Sequence, residues 1–188
     1  VLRNIFPTRE GGRVRGGKVR AATLPNSVGH LAAYNAVSQF LFACDTDGIY
    51  DITTPLSPAT TVSTADVTAV TSGDFSSLQF TPGSGTPYLI MVNGADDMQQ
   101  FDGTNWLQIN SGTVGAGRAI TGVGTDNISH IWSHQERIWM IERDTMSAWY
   151  LPFDSIGGVA EEFPLGSIFN KGGKLLFGSA WSMEDTGV

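Results

Sequence analysis

Short apolar stretches alternate with polar turns along most of the chain. Segments such as DTDGIYD, MVNGADD, FDGTNW and NKGGK place Gly after Asp, Asn or Lys between apolar stretches. Asp-Gly and Asn-Gly favour tight hairpin turns because both residues tolerate positive φ. No segment combines sustained helical spacing with an N-terminal cap. The pattern predicts an all-β chain with little helix, whose strands include QFLFA, SLQF, YLIMV, HIWS, RIWMI, AWYL and KLLFGSAW.

The predicted strands recur about every 50 residues. Three segments, FLFACDTDGIYD, LIMVNGADDMQQFD and IWMIERDTMSAWYL, align on central apolar residues that are 49 residues apart each time. The recurring positions are Ala43, Val92 and Ile141 in the apolar strand, Tyr50, Phe101 and Tyr150 in the strand after it, and Tyr34, Phe80 and Trp132 in the strand before it. A fourth unit is expected to open at KLLFGSAW, around Phe177.

This period indicates a β-propeller-like fold. Three to four antiparallel strands in about 50 residues match one propeller blade, and blades that stack face to face bury aromatic side chains on both faces. A β-sandwich also alternates strands and turns, but it gives no reason for the recurrence. Residues 25–188 are therefore predicted to form about three and a half blades, an incomplete portion of a larger ring, since a closed ring needs roughly 4 to 8 blades.

Charge divides the chain into two parts. The first 20 residues carry a net charge of +5, whereas the other 168 carry −12. Residues 1–24 are predicted to form a basic extended arm, which either neutralises phosphates or docks on an acidic protein surface. We favour docking on the body of the chain or on a neighbouring subunit, because the acidic body is close at hand. The candidate contact residues are Arg3, Asn4, Phe6, Pro7, Arg9, Arg13, Arg15, Lys18 and Arg20.

Two groups of polar residues resemble metal or catalytic sites only superficially. His130, His134 and Glu136 flank Trp132, but His-x-x-x-His on a strand separates the rings by about 13 Å, so a structural role is favoured over zinc. The acidic residues recur between strands, where turns favour Asp and Asn, and a turn role is favoured over Ca²⁺ binding or a glycosidase pair. These acids are Asp45, Asp47, Asp51, Asp96, Asp97, Asp102, Glu161 and Glu162.

The remaining motifs point to no enzyme. GTVGAGRAITGVG and EGGRVRGG lack the P-loop pattern and are interpreted as connections. No G-x-S-x-G occurs, and Cys44, in an apolar run, is interpreted as a small buried hydrophobe. We expect no catalytic residue, no cofactor and no metal. No apolar run is long enough to cross a membrane, so membrane insertion is not expected.

The opening LRNIFPTREGGRVRGGKV resembles the start of phage tail proteins of the hub or nozzle type, which are related to the packaged-DNA stabilisation proteins of short-tailed phages. MVNGADDMQQFDGTNW and AWYLPFDSIGGVAEEFPLGSIFNKGGKLLFGSAW are also similar to stretches of such virion proteins. The likeness covers most of the chain. Where the family commonly has Arg-Pro-Gly after the Gly pair, this chain reads RVRGG, which leaves the conformation of the arm open.

The resemblance implies a propeller-containing structural subunit of the virion, made in the host cytoplasm. It implies a homo-oligomeric ring, with a hexamer as one option, that contacts portal or adaptor proteins and other tail proteins and seals or guides the DNA exit channel. DNA would pass without sequence-specific contact. An acidic body suits that role, because Lys and Arg would hold the phosphates and resist passage.

Two other functions are kept open. One is a carbohydrate-binding or carbohydrate-cleaving propeller, for which Trp or Tyr rings beside paired carboxylates at a pocket would be the distinguishing feature. The other is a propeller that scaffolds other proteins. The aromatic segment IWMIERDTMSAWYLP is interpreted as a packed hairpin rather than a binding site, with Trp139, Ile141, Trp149 and Tyr150 on its strand faces.

Overall fold

The computed structural model describes residues 20–55, 61–112, 117–169 and 171–180, together with the backbone of two strands at 5–8 and 11–14. Within these ranges it contains β-strands, two 3₁₀ turns at Thr125–Asn127 and Leu165–Ser167, and no α-helix. The prediction of an all-β chain is therefore confirmed.

The strands are numbered in chain order. They are β1 (Ile5–Thr8), β2 (Gly11–Val14), β3 (His30–Asn35), β4 (Gln39–Cys44), β5 (Gly48–Asp51), β6 (Val67–Thr68), β7 (Ser76–Phe80), β8 (Tyr88–Val92), β9 (Met98–Phe101), β10 (Trp106–Ile109), β11 (Ile120–Thr121), β12 (Ile128–His134), β13 (Arg137–Glu142), β14 (Ser147–Tyr150), β15 (Gly158–Val159) and β16 (Glu161–Pro164).

Three four-stranded antiparallel sheets dominate the fold. Sheet I has the order β3-β4-β5-β6, sheet II has β7-β8-β9-β10, and sheet III has β12-β13-β14-β16. Each sheet is a meander in which strands that follow one another along the chain also pair, and only β15 is skipped. Two smaller pairs complete the described topology, β1 with β2 in antiparallel and β11 with β15 in parallel orientation.

Turn chemistry explains why strands of sheets I and II reverse where they do. The Asp45 carboxylate, at the end of β4, accepts the backbone N–H groups of Asp47 at 2.8 Å and Gly48 at 3.1 Å. After β8, Asn93 Oδ1 likewise accepts the N–H groups of Ala95 and Asp96. Such bonds hold a chain reversal in place without a partner from another strand. The turn interpretation of Asp45 is thus confirmed.

The acidic pair in the last strand does not follow this rule. Glu161 and Glu162 lie in β16, the edge strand of sheet III, and pair with Tyr150 and Trp149 of β14. The expectation that these acids also occupy a turn between strands is wrong. An edge strand tolerates them because its residues are exposed, and charge on an edge opposes pairing with a further strand.

The three sheets stack on one another through their first strands. Strand β7 lies next to β3 on one side and next to β12 on the other. Because side chains alternate along a strand, sheet II presents Leu89 and Met91 to sheet I, whereas Ile90 and Val92 face sheet III. All four side chains are at most 2% exposed. Sheet II is therefore buried on both faces, which explains the uninterrupted apolar sequence YLIMV.

The recurrence seen in the sequence holds at the level of strands, but its residue alignment is wrong in each strand of the unit. In the first strand, Trp132 is displaced by two residues from the position that Tyr34 and Phe80 share. In the third strand, Tyr50, Phe101 and Tyr150 occupy three different positions. In the second strand, Cys44, Val92 and Ile141 are the equivalent positions, because they pair with the first-strand residues His30, Ser76 and His130 respectively. Ala43 points to the opposite side of sheet I, where it packs in a separate cluster. A shift of one residue in a strand moves a side chain to the other face.

Two boundaries also differ from expectation. Ala22 and Leu24 pack with Ala43 on the side of sheet I that faces away from sheet II, so the body begins before residue 24. At the other end, the described part of KLLFGSAW, residues 174–180, is not a strand. The segment instead runs along sheet III, where Leu175 N–H donates to the Thr145 carbonyl at 2.8 Å.

Candidate functional site

The side of sheet III that faces away from sheet II carries a ladder of aromatic rings, here called the outer aromatic face. Trp132, Trp139 and Tyr150 are cross-strand neighbours on β12, β13 and β14. The two indole centroids are 5.9 Å apart at 23°, and the Trp139 and Tyr150 centroids are 4.9 Å apart. Phe163 of β16 meets Trp139 edge to face at 6.1 Å. These are the spacings at which aromatic pairs attract.

Polar groups border this ladder. The Arg137 guanidinium lies 5.4 Å from the centre of the Tyr150 ring, and the Tyr150 hydroxyl donates to Glu161 at 2.5 Å. This hydrogen bond, together with some burial, raises the pKa of Tyr150. The Trp139 indole N–H is buried and has no hydrogen-bond partner among the described residues. The Trp139 and Tyr150 rings are half-exposed to solvent, whereas the core on the other side of the sheet is fully buried.

Residues 174–180 cover one edge of the outer aromatic face. The Gly178 carbonyl lies 2.8 Å from His130 Nε2, and a Cβ atom at Gly178 would come within 2.6 Å of the Trp132 ring. Only glycine permits this close approach. Leu176 and Phe177 of the same segment remain 71% and 74% exposed, and Phe163 is 42% exposed. The cover is therefore partial, and an apolar surface is left open.

The first strands of the three sheets are joined by polar side chains. His30 Nε2 lies 2.9 Å from Ser77 Oγ, and Ser76 Oγ lies 3.1 Å from His130 Nδ1. Between β3 and β7, the Gln79 side-chain amide bonds both the N–H and the carbonyl of Asn35, at 2.8 and 2.7 Å. Burial lowers the pKa of His30, which the charge of Asp74 only partly opposes. Both histidines serve packing between sheets.

A separate cleft of about 350 Å³ opens between β6 of sheet I and β10 of sheet II. Its wall includes Trp106, Asp66, Asp97 and the amides of Gln99 and Gln108. A smaller hollow of about 130 Å³ adjoins it, shares Trp106 and Asp66, and adds Phe40 and Asp51. We call the two together the Trp106 cleft.

The acids of the Trp106 cleft differ in their hydrogen bonds and in their pKa. Asp97 accepts hydrogen bonds from Gln108, Asn110 and Thr125, and so also serves the fold. Burial, reinforced by the charge of Asp51, raises the pKa of Asp66. Sequence reasoning missed this cleft, because Trp106 stood in a turn segment and Asp66 in a polar connection, and only the stacking of two sheets brings them together.

The residues predicted as a subunit-contact arm lie largely beyond what the structure describes. Arg20 is exposed. The side chains of Arg3, Asn4, Phe6, Pro7, Arg9, Arg13, Arg15 and Lys18 are outside the described residues. The backbone of β1 and β2 forms an antiparallel pair, with Ile5 opposite Val14, so part of the segment predicted as an extended arm is a hairpin.

The remaining candidates occupy structural positions. Among the residues that the structure describes, no group of three or more His, Cys, Asp or Glu is placed to hold a metal ion. Cys44 is fully buried, as expected, and burial raises its pKa to about 12. A thiol of that pKa is not a nucleophile at neutral pH. No helix in the described ranges is long and apolar enough to cross a membrane.

Comparison with known proteins adds no relative. The chain matches no protein-family model, no curated protein and no solved structure.

Proposed function

We propose that this chain is a non-enzymatic structural protein of a bacteriophage tail, of the hub or nozzle type, and that it forms part of an oligomeric ring around the DNA exit channel of the virion. The observation that carries the proposal is a stack of three like sheets whose outer aromatic face is only partly covered by the described residues. A stack of repeated sheets with an exposed apolar face suits a subunit of an assembly, because such faces are typical of protein contact sites. The resemblance of the N-terminal sequence to tail proteins is the reason for proposing this kind of assembly.

We further propose that the stack is part of a β-propeller. Each sheet is a four-stranded meander, as in a propeller blade. The first strands of successive sheets are neighbours, as the inner strands of successive blades would be. Equivalent first-strand residues, His30, Ser76 and His130, recur at intervals of 46 and 54 residues.

The segment at residues 174–180 supports a fourth repeat. Gly178 contacts His130 of β12, much as Ser77 of β7 contacts the equivalent His30 of β3. The contact of Gly178 with β12 supports the proposal that a further repeat begins here, at a segment that forms no strand in the described residues. In the proposed ring this segment begins the fourth blade, which stacks on sheet III as sheet III stacks on sheet II.

The charge of the body fits a channel through which DNA slides. The 168 residues after residue 20 carry a net charge of −12. A wall of that charge makes few phosphate contacts, so DNA is not held during passage. Proteins of the portal or adaptor and of the tail are the proposed partners, with the arm as the contact between subunits.

A direct test is to produce the chain with an affinity tag during phage growth and to measure where it is found. We expect it in purified DNA-filled particles, at a fixed copy number by quantitative mass spectrometry, and in a ring-shaped density of the tail by electron microscopy. A protein that stays a monomer and is absent from washed particles would contradict the proposal. A tagged chain with residues 1–19 deleted serves as the matched control for incorporation through the arm.

A carbohydrate-binding function is the second candidate, and the Trp106 cleft is the observation that favours it. An indole beside several carboxylates and amides is a typical surface for a sugar, whose hydroxyl groups both donate and accept hydrogen bonds. The cleft has these groups in one place, with Asp51 and Asp66 as a candidate carboxylate pair.

A glycan array and a hydrolysis screen would separate the two functions. If the cleft binds sugars, binding should be lost in Asp66→Asn, and Asp47→Asn, which changes an acid outside the cleft lining, should bind normally. Background signal with the unaltered chain removes the second candidate and leaves the structural proposal intact.

A further inference from the structure

The Trp106 cleft has an acidic wall without a basic residue. Four carboxylates line its two hollows, and the lining residues include no Lys, Arg or His. The ion pairs among the described residues involve the carboxylates of Asp102 and Asp144, so none of them reaches the cleft. Negative charge is therefore concentrated here without a counter-charge from the described residues. The four acids are Asp51, Asp66, Asp96 and Asp97.

Two of these acids are tied to the fold, and the other two lie together in the smaller hollow. Asp96 and Asp97 accept hydrogen bonds from nearby Asn, Gln and Thr side chains. Asp51 and Asp66 both line the hollow of about 130 Å³. Partial burial and the charge of Asp51 raise the pKa of Asp66. The ionised form of Asp66 is thus disfavoured, and a positive charge beside it would relieve the repulsion.

A buried amide adds one more acceptor to the cleft. Gln99 is 6% exposed, and its side chain lines the larger hollow. Its Nε2 donates to the Asp97 carbonyl at 3.0 Å, whereas Oε1 accepts no hydrogen bond among the described residues. A buried carbonyl oxygen without a donor costs free energy. The cleft is therefore rich in acceptors, and a ligand that fits it should supply hydrogen-bond donors.

Aromatic rings form the rest of the wall of the smaller hollow. The Trp106 centroid lies 5.0 Å from that of Phe42 and 5.1 Å from that of Phe101. Phe40 lies against Phe101 at 5.1 Å, and Phe40 and Trp106 are half-exposed. The faces of such rings attract cations. At about 30 Å³ for each non-hydrogen atom, as for water in the liquid, the hollow has room for roughly four such atoms.

We infer that the Trp106 cleft binds an organic cation that carries N–H donors, a guanidinium or primary ammonium group, with its charge beside Asp51 and Asp66 and its apolar part against Trp106. A guanidinium group fits better than an ammonium group, because it is planar, stacks on aromatic rings and donates several hydrogen bonds at once. The inference does not depend on the proposed tail assembly.

Other occupants of the cleft match these features less well. Among the described residues, no three acids, histidines or cysteines are grouped to hold a metal ion. A neutral sugar, the ligand of the second candidate function, would satisfy the amide of Gln99 but would leave the charges of Asp51 and Asp66 without compensation. Charge on the ligand is therefore the property that distinguishes the inference.

The test is isothermal titration of the full chain with three ligands of similar size. We expect saturable binding of n-butylguanidinium, weaker binding of n-butylammonium, and binding of the uncharged n-butylurea that is weaker than that of n-butylguanidinium by about tenfold or more. The affinity for the cations should fall as salt rises, because salt screens the carboxylates. Binding of n-butylurea as tight as that of n-butylguanidinium, or no saturable binding of either cation, would overturn the inference.

Variants locate the site of binding. The double variant Asp51→Asn with Asp66→Asn should bind n-butylguanidinium about tenfold less tightly, since both charges are lost. Its thermal stability should be unchanged or higher, because the substitution removes a repulsion. Asp47→Asn with Asp126→Asn changes the net charge equally at two exposed positions outside the cleft lining and should bind normally. Equal binding by the two double variants would overturn the assignment to this cleft. If the first variant does not fold, the comparison of n-butylguanidinium with n-butylurea still decides.

Two further measurements identify the source of the cation and separate the outcome from those of the proposed functions. Tighter binding of a capped Ala-Arg-Ala peptide than of n-butylguanidinium supports the inference with an arginine side chain of a protein partner as the cation, and equal binding supports it with a free small molecule. Glycan binding without cation binding would overturn the inference and favour the second candidate function. A chain that binds the cations but is absent from virions supports the inference and contradicts the tail assignment alone.

Discussion

The two faces of strand β13 differ although their residues alternate along one chain segment. Ile138 and Met140 point toward sheet II and are fully buried among aliphatic side chains. Trp139, between them, points away and lies half-buried beside Tyr150 and Phe163. The inner face is packed against sheet II, whereas the outer face carries aromatic rings that the described residues cover only in part. One strand thus carries a packed core face and a second apolar face that stays partly exposed, and we propose that the second face serves association.

The largest effect is expected from Met140→Ala, on the inner face. The side chain is 0% exposed and lies in the cluster between sheets II and III, so its removal leaves a cavity. We expect a loss of about 2 to 5 kcal/mol in the free energy of unfolding, measured by urea denaturation followed by circular dichroism. Leu176→Ala, at a 71% exposed position, is the control. Equal effects of the two variants would refute the assignment of the inner face as core.

Trp149→Ala should have the next largest effect. Trp149 packs partly against the same cluster and donates its indole N–H to Glu142 Oε2 at 3.0 Å. We expect a loss of about 2 to 3 kcal/mol, below the roughly 3 to 5 kcal/mol for a fully buried Trp. Trp149→Phe, which keeps a ring but not the hydrogen bond, should cost about 1 kcal/mol. A Trp149→Ala protein as stable as the parent that loses a ligand would instead mean that the ring serves a binding site.

Trp139→Ala tests the outer face and should change stability less. The ring is half-buried, and the main loss is its contact with three aromatic neighbours, about 1 kcal/mol. The measured quantities are the unfolding free energy at low protein concentration and the association constant from sedimentation. Stability should fall slightly, and association strongly. A loss of stability as large as that of Met140→Ala would show that the outer face belongs to the core of the single chain.

The smallest effect is expected when the pH is lowered and the Asp102 carboxylate becomes protonated. Burial raises the pKa of Asp102, but hydrogen bonds from the Asn105 N–H and from Arg118, which lies 3.0 Å away, more than offset this and lower it overall. A lowered pKa means that the stabilisation is present at neutral pH and is lost as pH falls below about 4. In Asp102→Asn, thermal melts should depend less on pH between about 2 and 4. An unchanged pH dependence would show that this ion pair does not contribute.

Much of the fold follows from local signals in the sequence. Asp-Gly and Asn-Gly turns and stretches such as YLIMV are sufficient to predict strands and their order, because both depend on neighbouring residues. The register could not be fixed in this way. Ala43 and Cys44 are both apolar and both fully buried, so only the packing of sheets decides which of them faces sheet II.

The sites were harder to predict for the same reason. The segment IWMIERDTMSAWYLP was correctly interpreted as a hairpin, but Trp149 and Tyr150 point to opposite faces, and one of the faces is open. The Trp106 cleft joins residues from two sheets that are about 40 positions apart in the sequence. Proximity of that kind arises from tertiary packing, which no short-range pattern encodes.

Hydroxyl-radical footprinting of the full chain, read by mass spectrometry, tests the central claim most directly. We predict that Trp139, Tyr150 and Phe163 are oxidised in dilute protein and become protected as the concentration rises or the chain enters particles. Met140 and Met91, both buried between sheets, should stay protected throughout. Oxidation of the three aromatic side chains that is the same in dilute protein, concentrated protein and particles would contradict the account of the outer aromatic face as an assembly interface.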